Sequence, residues 1–189
     1  MKAGNLQNDP KILIRLAKSG DSEAFGRLYE LYFVPVFRYI YFRVKNKEEA
    51  NDLTQTVFLK VFRSLPNFQE QDKSPLAYFF TVARNKVIDH WRAKKEVLFD
   101  DPESAFGQVS NRTDNPLEFV EKEEANQAIH RAIKQLTDDQ QEVIVLKFIN
   151  GMPNKEIAEL LEKTEEAVRQ LQCRALKVLR QILKNQGLV

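Results

Sequence analysis

The sequence contains only one cysteine, Cys173, so no intrachain disulfide can form. This fits a reducing compartment, and we expect a cytoplasmic protein. Its two histidines, His90 and His130, lie far apart in the sequence, which argues against a metal site. No apolar run approaches the roughly 20 residues that span a bilayer, and no secretory leader is present, so we do not expect a membrane protein.

Glycine is also scarce, with six residues in 189, and alternating β-branched patterns are few. Strands therefore have little support, and the composition predicts an all-α fold. The sequence has no glycine-rich phosphate loop, no cluster of histidine, cysteine and carboxylates, and no nucleophile beside an evident base. We therefore expect no enzymatic activity, no cofactor and no small-molecule substrate.

The near-neutral net charge of +2 conceals three segments of different charge. Residues 1–95 carry 17 basic and 10 acidic side chains, residues 96–125 carry two and nine, and residues 126–189 carry ten and eight. Fifteen of the 19 aromatic residues lie between Phe25 and Trp91. This pattern predicts two small helical modules joined by an acidic, flexible linker.

The N-terminal module is predicted to contain four helices. Apolar spacing places the first helix over residues 9–18, with Ile12, Leu13 and Leu16 inward, and a second aromatic helix that Pro35 would kink or interrupt. Asn46 and Glu49 form a capping-box pattern at the start of a third helix that runs to about residue 65. A fourth helix covers residues 76–95, after an N-cap serine and a proline at positions 74 and 75.

The C-terminal module ends in a helix-turn-helix pattern over residues 154–184, NKEIAELLEKTEEAVRQLQCRALKVLRQILK. Thr164 is a plausible N-cap of the second helix, whose apolar stripe includes Val168, Leu171 and Ala175. Glu162 stands where glycine is commonest in such a turn, and two amphipathic helices joined by a turn are also common in proteins that do not bind DNA. Upstream, Thr137 and Gln140 form a second capping-box pattern.

Three stretches together resemble one family, the bacterial RNA polymerase sigma factors of the sigma-70 family. Residues 50–62, ANDLTQTVFLKVF, look like the family's signature helix, and residues 76–92, LAYFFTVARNKVIDHWR, look like its promoter-melting helix. Gly20-Asp21, Ala24-Phe25 and Leu28-Tyr29 match the family's opening. With only two modules, the chain is similar to the small extracytoplasmic-function group.

The resemblance implies a role for each segment. Residues 1–95 would dock on core RNA polymerase and melt the minus-ten promoter element as a sigma region 2-like domain. Residues 96–122 would form the linker, acting either as a polyanion that enters a basic polymerase channel or as a solubilising tether. Residues 123–189 would form a sigma region 4-like domain that reads the minus-thirty-five element.

The same resemblance implies three sets of contact residues. The set expected to bind the polymerase, in which Thr56 replaces the usual acidic residue, consists of Asp52, Leu53, Gln55, Thr56 and Leu59. The set expected to hold minus-ten DNA as a single strand, by cationic and stacking side chains, consists of Phe68, Lys73, Tyr78, Arg84, Asn85 and Arg92. The set expected to face duplex minus-thirty-five DNA in the major groove consists of Thr164, Glu166, Arg169, Gln170, Cys173, Arg174 and Lys177.

The implied partners are core RNA polymerase and promoter DNA, and the family often uses an anti-sigma factor, whose existence the sequence leaves open. A different hypothesis keeps the helix-turn-helix but not the polymerase. In that reading the chain is a stand-alone transcriptional regulator whose N-terminal module senses a ligand or dimerises. Tight duplex binding by the isolated protein would favour it.

Overall fold

The computed structural model describes residues 9–44, 46–68, 74–100 and 128–187, and all regular structure in these ranges is helical. The all-α prediction is therefore confirmed. The N-terminal helices are α1 (Pro10–Lys18), α2 (Ser22–Val44), α3 (Lys47–Ser64) and α4 (Pro75–Asp100), with a 3-10 turn at Leu65–Asn67. The C-terminal helices are α5 (residues 128–133), α6 (Asp138–Ile144), α7 (Asn154–Leu161) and α8 (Glu165–Asn185), and a π-helical turn at Val145–Ile149 extends α6.

Side-chain caps fix where the helices begin, largely as the sequence predicts. The Asn46 side chain accepts a hydrogen bond from the Glu49 backbone N–H at 3.0 Å, and the Ser74 hydroxyl accepts one from the Ala77 N–H at 3.2 Å. At α6, Thr137 and Gln140 form the reciprocal capping box. Because each cap satisfies a backbone donor that the helix itself leaves unpaired, it fixes the register of the apolar face that follows.

Helix α2 forms the centre of the N-terminal part and packs against α1, α3 and α4. It continues through Pro35 as one helix of 23 residues, so the interruption considered from the sequence does not occur. Its fully buried side chains include Leu28, Val36, Tyr39 and Ile40. Contacts on three sides of α2 hold the helix together across the hydrogen bond that proline cannot make.

The buried face of α1 and the C-terminal end of α4 differ from the sequence prediction. In α1, Leu16 is 42% exposed, whereas Ile14 and Ala17 are buried together with Leu13, so the apolar face is rotated from the predicted one. Helix α4 continues past the basic run and ends at Asp100, five residues inside the predicted linker. The rest of the linker, from residue 101 to residue 122, lies outside the described residues.

The predicted helix-turn-helix is present, with α7 and α8 joined by residues 162–164. Glu162 adopts the left-handed conformation, with φ 54°, at the position where glycine is commonest. The neighbouring Lys163 forms a 3.0 Å ion pair with Asp139 on α6, so a charged residue fits where an apolar one is usual. In α8 only Val168 and Ala175 are buried, and more distal apolar residues are half-buried or exposed.

The two halves of the chain pack against each other. Buried apolar residues of both halves belong to one continuous core, in which α2 contacts the π-helical turn and α4 contacts α7. The His130 ring lies 4.7 Å from that of Tyr41 and 4.4 Å from that of Phe42, measured between centroids. The sequence predicted two modules but not this contact between them. Within the described residues, no helix combines the length and apolar character needed to cross a membrane.

Candidate nucleic-acid interface

The predicted polymerase-binding residues form one exposed strip on α3. Asp52, Gln55, Thr56 and Leu59 are exposed, and Leu53 is half-buried at the edge of the strip. The Thr56 hydroxyl donates a hydrogen bond to the Asp52 carbonyl oxygen at 2.9 Å. This strip lies on the outer face of α3, because Val57, Phe58 and Val61 occupy the opposite, buried face. Its polar groups are therefore available to another molecule.

Two of the predicted minus-ten residues meet at the start of α4. The rings of Phe68 and Tyr78 lie 4.5 Å apart between centroids, with a tilt of 47°. The Tyr78 hydroxyl lies 2.6 Å from that of Ser64, and Lys18 donates to the Phe68 carbonyl oxygen. These contacts fix the positions of two partly exposed aromatic rings. Lys73 lies outside the described residues.

The remaining predicted minus-ten residues lie further along the same helix. Arg84 is half-buried, whereas Asn85 and Arg92 are exposed. Arg84 and Arg92 both line a cleft of about 320 Å³ between the two halves of the chain. The other lining residues are Arg43, Ile88, Trp91, Asp138, Asp139 and Glu142. The structure thus joins Arg84 and Arg92 in one cleft and leaves the Phe68–Tyr78 pair near the other end of the helix.

Arg43 is a cationic group of this cleft that sequence reasoning missed. Its side chain is only 3% exposed, and its guanidinium carbon lies 4.5 Å from the centre of the Trp91 ring. One guanidinium nitrogen donates to the Gln141 side-chain oxygen at 3.3 Å and to the Asp138 carbonyl oxygen at 3.4 Å. The Nε atom makes no hydrogen bond. A buried arginine with an unpaired donor is costly unless nearby anions compensate it.

The main compensating anion is the carboxylate of Glu142, on α6. It lies 3.4 Å from Arg43 Nη2 and 3.8 Å from Arg84 Nε. It also accepts a hydrogen bond from the Tyr39 hydroxyl. Burial raises the pKa of Tyr39 well above its ordinary value, and the negative charge of Glu142 raises that pKa further. Tyr39 therefore stays protonated and acts as a donor to the carboxylate.

The predicted duplex-reading residues share the outward face of α8. All seven are exposed: Thr164, Glu166, Arg169, Gln170, Cys173, Arg174 and Lys177. Thr164 caps the helix by accepting from the Ala167 N–H at 3.1 Å. Exposed donors and acceptors on the first turns of the second helix are what a helix-turn-helix protein places in the major groove.

One residue of this set is already engaged within the helix. Arg169 forms ion pairs with Glu165 at 3.7 Å and with Glu166 at 3.2 Å. These pairs lie on the surface, so they are weak and can be exchanged for a phosphate or a base edge. Next to this face, Gln172 and Asn154 are hydrogen-bonded at 2.9 Å, which ties α8 to the first residue of α7.

The residues that sequence reasoning missed are Tyr39, Arg43, Gln141 and Glu142. Three of them are polar or charged residues that the structure buries, which periodicity treats as surface positions. The only pattern that could have suggested them is the placement of Tyr39 and Arg43 at i and i+4 on an otherwise aromatic helix. Tyr39 and Arg43 pair with Glu142 and Gln141, which lie about a hundred positions later in the sequence. No local sequence pattern can indicate such a distant pairing.

Comparison with known proteins adds two family matches. Residues 28–97 match the model of sigma-70 region 2, and residues 126–179 match that of sigma-70 region 4. The chain is 32% identical over 162 residues to the ECF RNA polymerase sigma factor SigX of Bacillus subtilis, covering 84% of this chain and 82% of that protein.

Two further similarities agree with these matches. The chain is 35% identical over 174 residues to the ECF RNA polymerase sigma factor BldN of Streptomyces coelicolor, covering 90% of this chain but 64% of the relative's length. The solved structure of CnrH in complex with the cytosolic domain of CnrY superposes with a TM-score of 0.72 at 24% identity, covering 93% of this chain and 97% of the other. This last similarity shows the fold.

Proposed function

The chain belongs to the extracytoplasmic-function group of RNA polymerase sigma factors, and from this premise we propose that it directs promoter-specific initiation by core RNA polymerase. In this proposal the chain melts and holds the minus-ten element and reads the minus-thirty-five element. It acts in the cytoplasm and performs no catalysis itself.

The observation that carries the proposal is the presence of two chemically different faces in one chain. The Phe68–Tyr78 pair offers flat rings that suit unpaired bases, with arginines farther along α4 that suit phosphates. The outward face of α8 offers hydrogen-bonding and cationic side chains of the kind that read a duplex groove. A protein that both melts and reads a promoter needs both.

Docking on the polymerase is assigned to the exposed strip on α3. Asp52, Gln55, Thr56 and Leu59 have no role in the core, since they point away from it. An exposed leucine flanked by polar groups is a common composition for a protein-binding surface. We assign residues 1–95 to docking and minus-ten melting, residues 96–122 to the linker, and residues 123–189 to minus-thirty-five reading. An anti-sigma factor would be a further partner of the same surfaces.

Reconstituted transcription tests the proposal. The purified chain is added to core polymerase with a randomised promoter library, and the transcripts are sequenced. We expect initiation from a subset of promoters that share two sequence elements. Initiation at no promoter would overturn the proposal. If the isolated chain bound duplex DNA tightly and core polymerase left this unchanged, a stand-alone regulator would be the better assignment.

Gln55→Arg tests the docking strip. A new charge and a larger side chain at an exposed position should leave the fold intact but obstruct the contact. We expect the affinity for core polymerase to fall by about tenfold or more, or about 1.4 kcal/mol. The matched control is Gln135→Arg, an exposed position between α5 and α6. Equal pull-down of core polymerase by both variants would contradict the docking assignment.

A further inference from the structure

The aromatic pair of Phe68 and Tyr78 is held from two other helices. Lys18, the last residue of α1, donates a hydrogen bond from its ammonium group to the Phe68 carbonyl oxygen. Ser64, the last residue of α3, places its hydroxyl 2.6 Å from that of Tyr78. Neither Lys18 nor Ser64 belongs to the predicted contact sets. Both side chains instead end on the two residues that we expect to hold an unpaired base.

The direction of the hydrogen bond between Ser64 and Tyr78 follows from the single proton that each hydroxyl carries. Ser64 donates its proton to a backbone carbonyl oxygen one turn earlier in α3, that of Lys60 at 2.7 Å. The Tyr78 hydroxyl is therefore the donor, and Ser64 Oγ is the acceptor. Because its only proton is used inside the protein, Tyr78 has a ring face, but no hydrogen-bond donor, left for a base.

Lys18 fixes the backbone that carries the other ring. Phe68 follows the 3-10 turn that begins at the buried Leu65, and its N–H donates to the Leu65 carbonyl oxygen at 2.9 Å. Lys18 binds the carbonyl oxygen of the same residue, so both backbone polar groups of Phe68 are engaged. Helix α1 also packs against this turn and against α4. Because its backbone is held at both groups, the Phe68 ring has fewer ways to move away from Tyr78.

We propose that Lys18 and Ser64 are positioning residues for the capture of an unpaired minus-ten base. Lys18 acts through the backbone of Phe68, and Ser64 acts through the hydroxyl of Tyr78. Rings that are held in place before DNA arrives lose less conformational entropy on binding, so the captured base is held more tightly. This inference rests on the proposed function for the identity of the ligand, but the placement of the rings can be tested without DNA.

Fluorine NMR measures the placement of the rings in the free chain. The chain has five tyrosines, so labelling with fluorotyrosine gives five signals, and the signal of Tyr78 is the one that Tyr78→Phe removes. Because the Phe68 ring lies 4.5 Å from that of Tyr78, Phe68→Ala gives the position of the Tyr78 signal without its neighbour.

We expect Lys18→Met to move the Tyr78 signal more than half of the way to its position in Phe68→Ala. Lys18→Arg, which keeps a cationic donor, should leave the signal near its parent position. The matched control is Lys11→Met, which removes the same charge from an exposed position about two turns earlier on α1. A Tyr78 signal that Lys18→Met moves no more than Lys11→Met does would overturn the role of Lys18.

A double-mutant cycle tests Ser64 in promoter opening. Core polymerase with each chain opens the promoters recovered by the library selection, and a fluorescent base analogue at successive minus-ten positions reports which base is unstacked. We expect Ser64→Ala and Tyr78→Phe each to lower the equilibrium constant for capture at one position by about fivefold, as loss of one ordinary hydrogen bond does. The double variant should lose no more than either single variant, since both remove the same bond. Additive losses, or no loss for Ser64→Ala, would overturn the role of Ser64.

The same assay distinguishes positioning by Lys18 from a general effect of its charge. Lys18→Met should lower capture at the position that Ser64→Ala affects, and Lys18→Arg should restore it. The minus-thirty-five preference and the affinity for core polymerase should match those of Lys11→Met. An equal loss at every minus-ten position would contradict positioning of one base. If the parent chain opens no promoter, the proposed function itself fails, while the fluorine signals still decide whether Lys18 holds the aromatic pair.

Discussion

Among single residues, Tyr39 shows how burial changes the chemistry of a side chain. It is fully buried on α2, yet its hydroxyl reaches the Glu142 carboxylate 103 positions later in the sequence. A phenol is the donor best suited to this position, because it brings a large apolar ring into the core and a hydroxyl to its edge. Phenylalanine could replace the ring but not the donor.

Tyr39→Phe should therefore lower the free energy of unfolding by about 1.5–3 kcal/mol at pH 8, since a buried carboxylate loses a hydrogen bond. The pH dependence provides a second test. An unfolded tyrosine loses its proton near pH 10.0, whereas Tyr39 in the folded chain keeps it because its pKa is raised. The folded chain thus binds more protons above pH 10, and its stability falls as the pH rises through that range.

Urea unfolding at pH 8 to 10.5 measures this difference. We expect the parent protein to lose up to about 1.4 kcal/mol more per pH unit above pH 10 than Tyr39→Phe does. The raised pKa of Tyr32, which burial causes together with Glu156 and Asp9, contributes equally to both proteins and cancels in the comparison. Parallel pH profiles for the two proteins would contradict the assignment of Tyr39 as a buried, protonated donor.

Glu162 is the other residue whose conformation is unusual. It is the only non-glycine residue with positive φ in the described part of the chain. A residue with a Cβ is strained there by about 1–2 kcal/mol, although glycine would cost more entropy on folding. Glu162→Gly should therefore raise stability by about 0.5–1 kcal/mol, measured as the urea midpoint at unchanged slope.

The matched control for this change is Glu159→Gly, one turn earlier within α7, where the helical backbone has no need of glycine. It should lower stability by about 1 kcal/mol. The opposite signs of the two effects are the test. If both variants were destabilised by the same amount, the left-handed conformation at position 162 would not be the source of the strain.

At the level of elements, α8 presents a polar face to solvent and contributes another face to the core. Its N-terminal turns carry the exposed polar face, whereas its inward face supplies Val168 and Ala175 to the core. Only small or β-branched residues of α8 are buried, and α8 packs against α7 with its polar face pointing outward. The orientation of the DNA-facing residues is thus set by packing that involves none of them.

This division predicts different results for two exposed residues of α8. Arg174→Ala should reduce discrimination at one position of the minus-thirty-five element by about 1–3 kcal/mol if the guanidinium contacts a base edge. Lys177→Ala should weaken binding of all sequences alike and lower the salt dependence, as loss of a phosphate contact does. Binding selections with the polymerase complex at two salt concentrations measure both. Unchanged sequence preference for Arg174→Ala would remove its assignment as a reader of bases.

The elements also show what the sequence could and could not predict. Apolar spacing and the caps at Asn46, Thr137 and Thr164 were sufficient to place most of the helices, because these depend on neighbours within one or two turns. The face of α1 was wrong, since Leu16 is exposed and Ile14 is buried. Five of the six residues from 12 to 17 are apolar, so apolar spacing alone does not select the buried side of α1, which is set by its packing on α2.

At the level of the whole molecule, the contact between the two halves could not be predicted. It depends on Arg43, Gln141 and Glu142, which are buried polar residues whose partners lie nearly a hundred positions away. Local patterns assign such residues to the surface. The exposed strip on α3 and the outward face of α8 were predictable as surfaces, because amphipathic spacing defines an outside as well as an inside. Their roles in binding polymerase and DNA stay predictions.

The position of Trp91 gives the molecule a built-in optical reporter. It is the only tryptophan in the chain, and it lies beneath the Arg43 guanidinium in the cleft that separates the halves. If the halves part, Arg43 and Trp91 stay together on α2 and α4, but the indole ring loses the side of the cleft that α6 forms and gains water, so its emission should shift to longer wavelength. We expect Glu142→Gln to show this shift in the free protein without any attached dye, and Glu159→Gln to retain the parent spectrum. The native chain would thus report its own opening in real time, as polymerase and promoter are added.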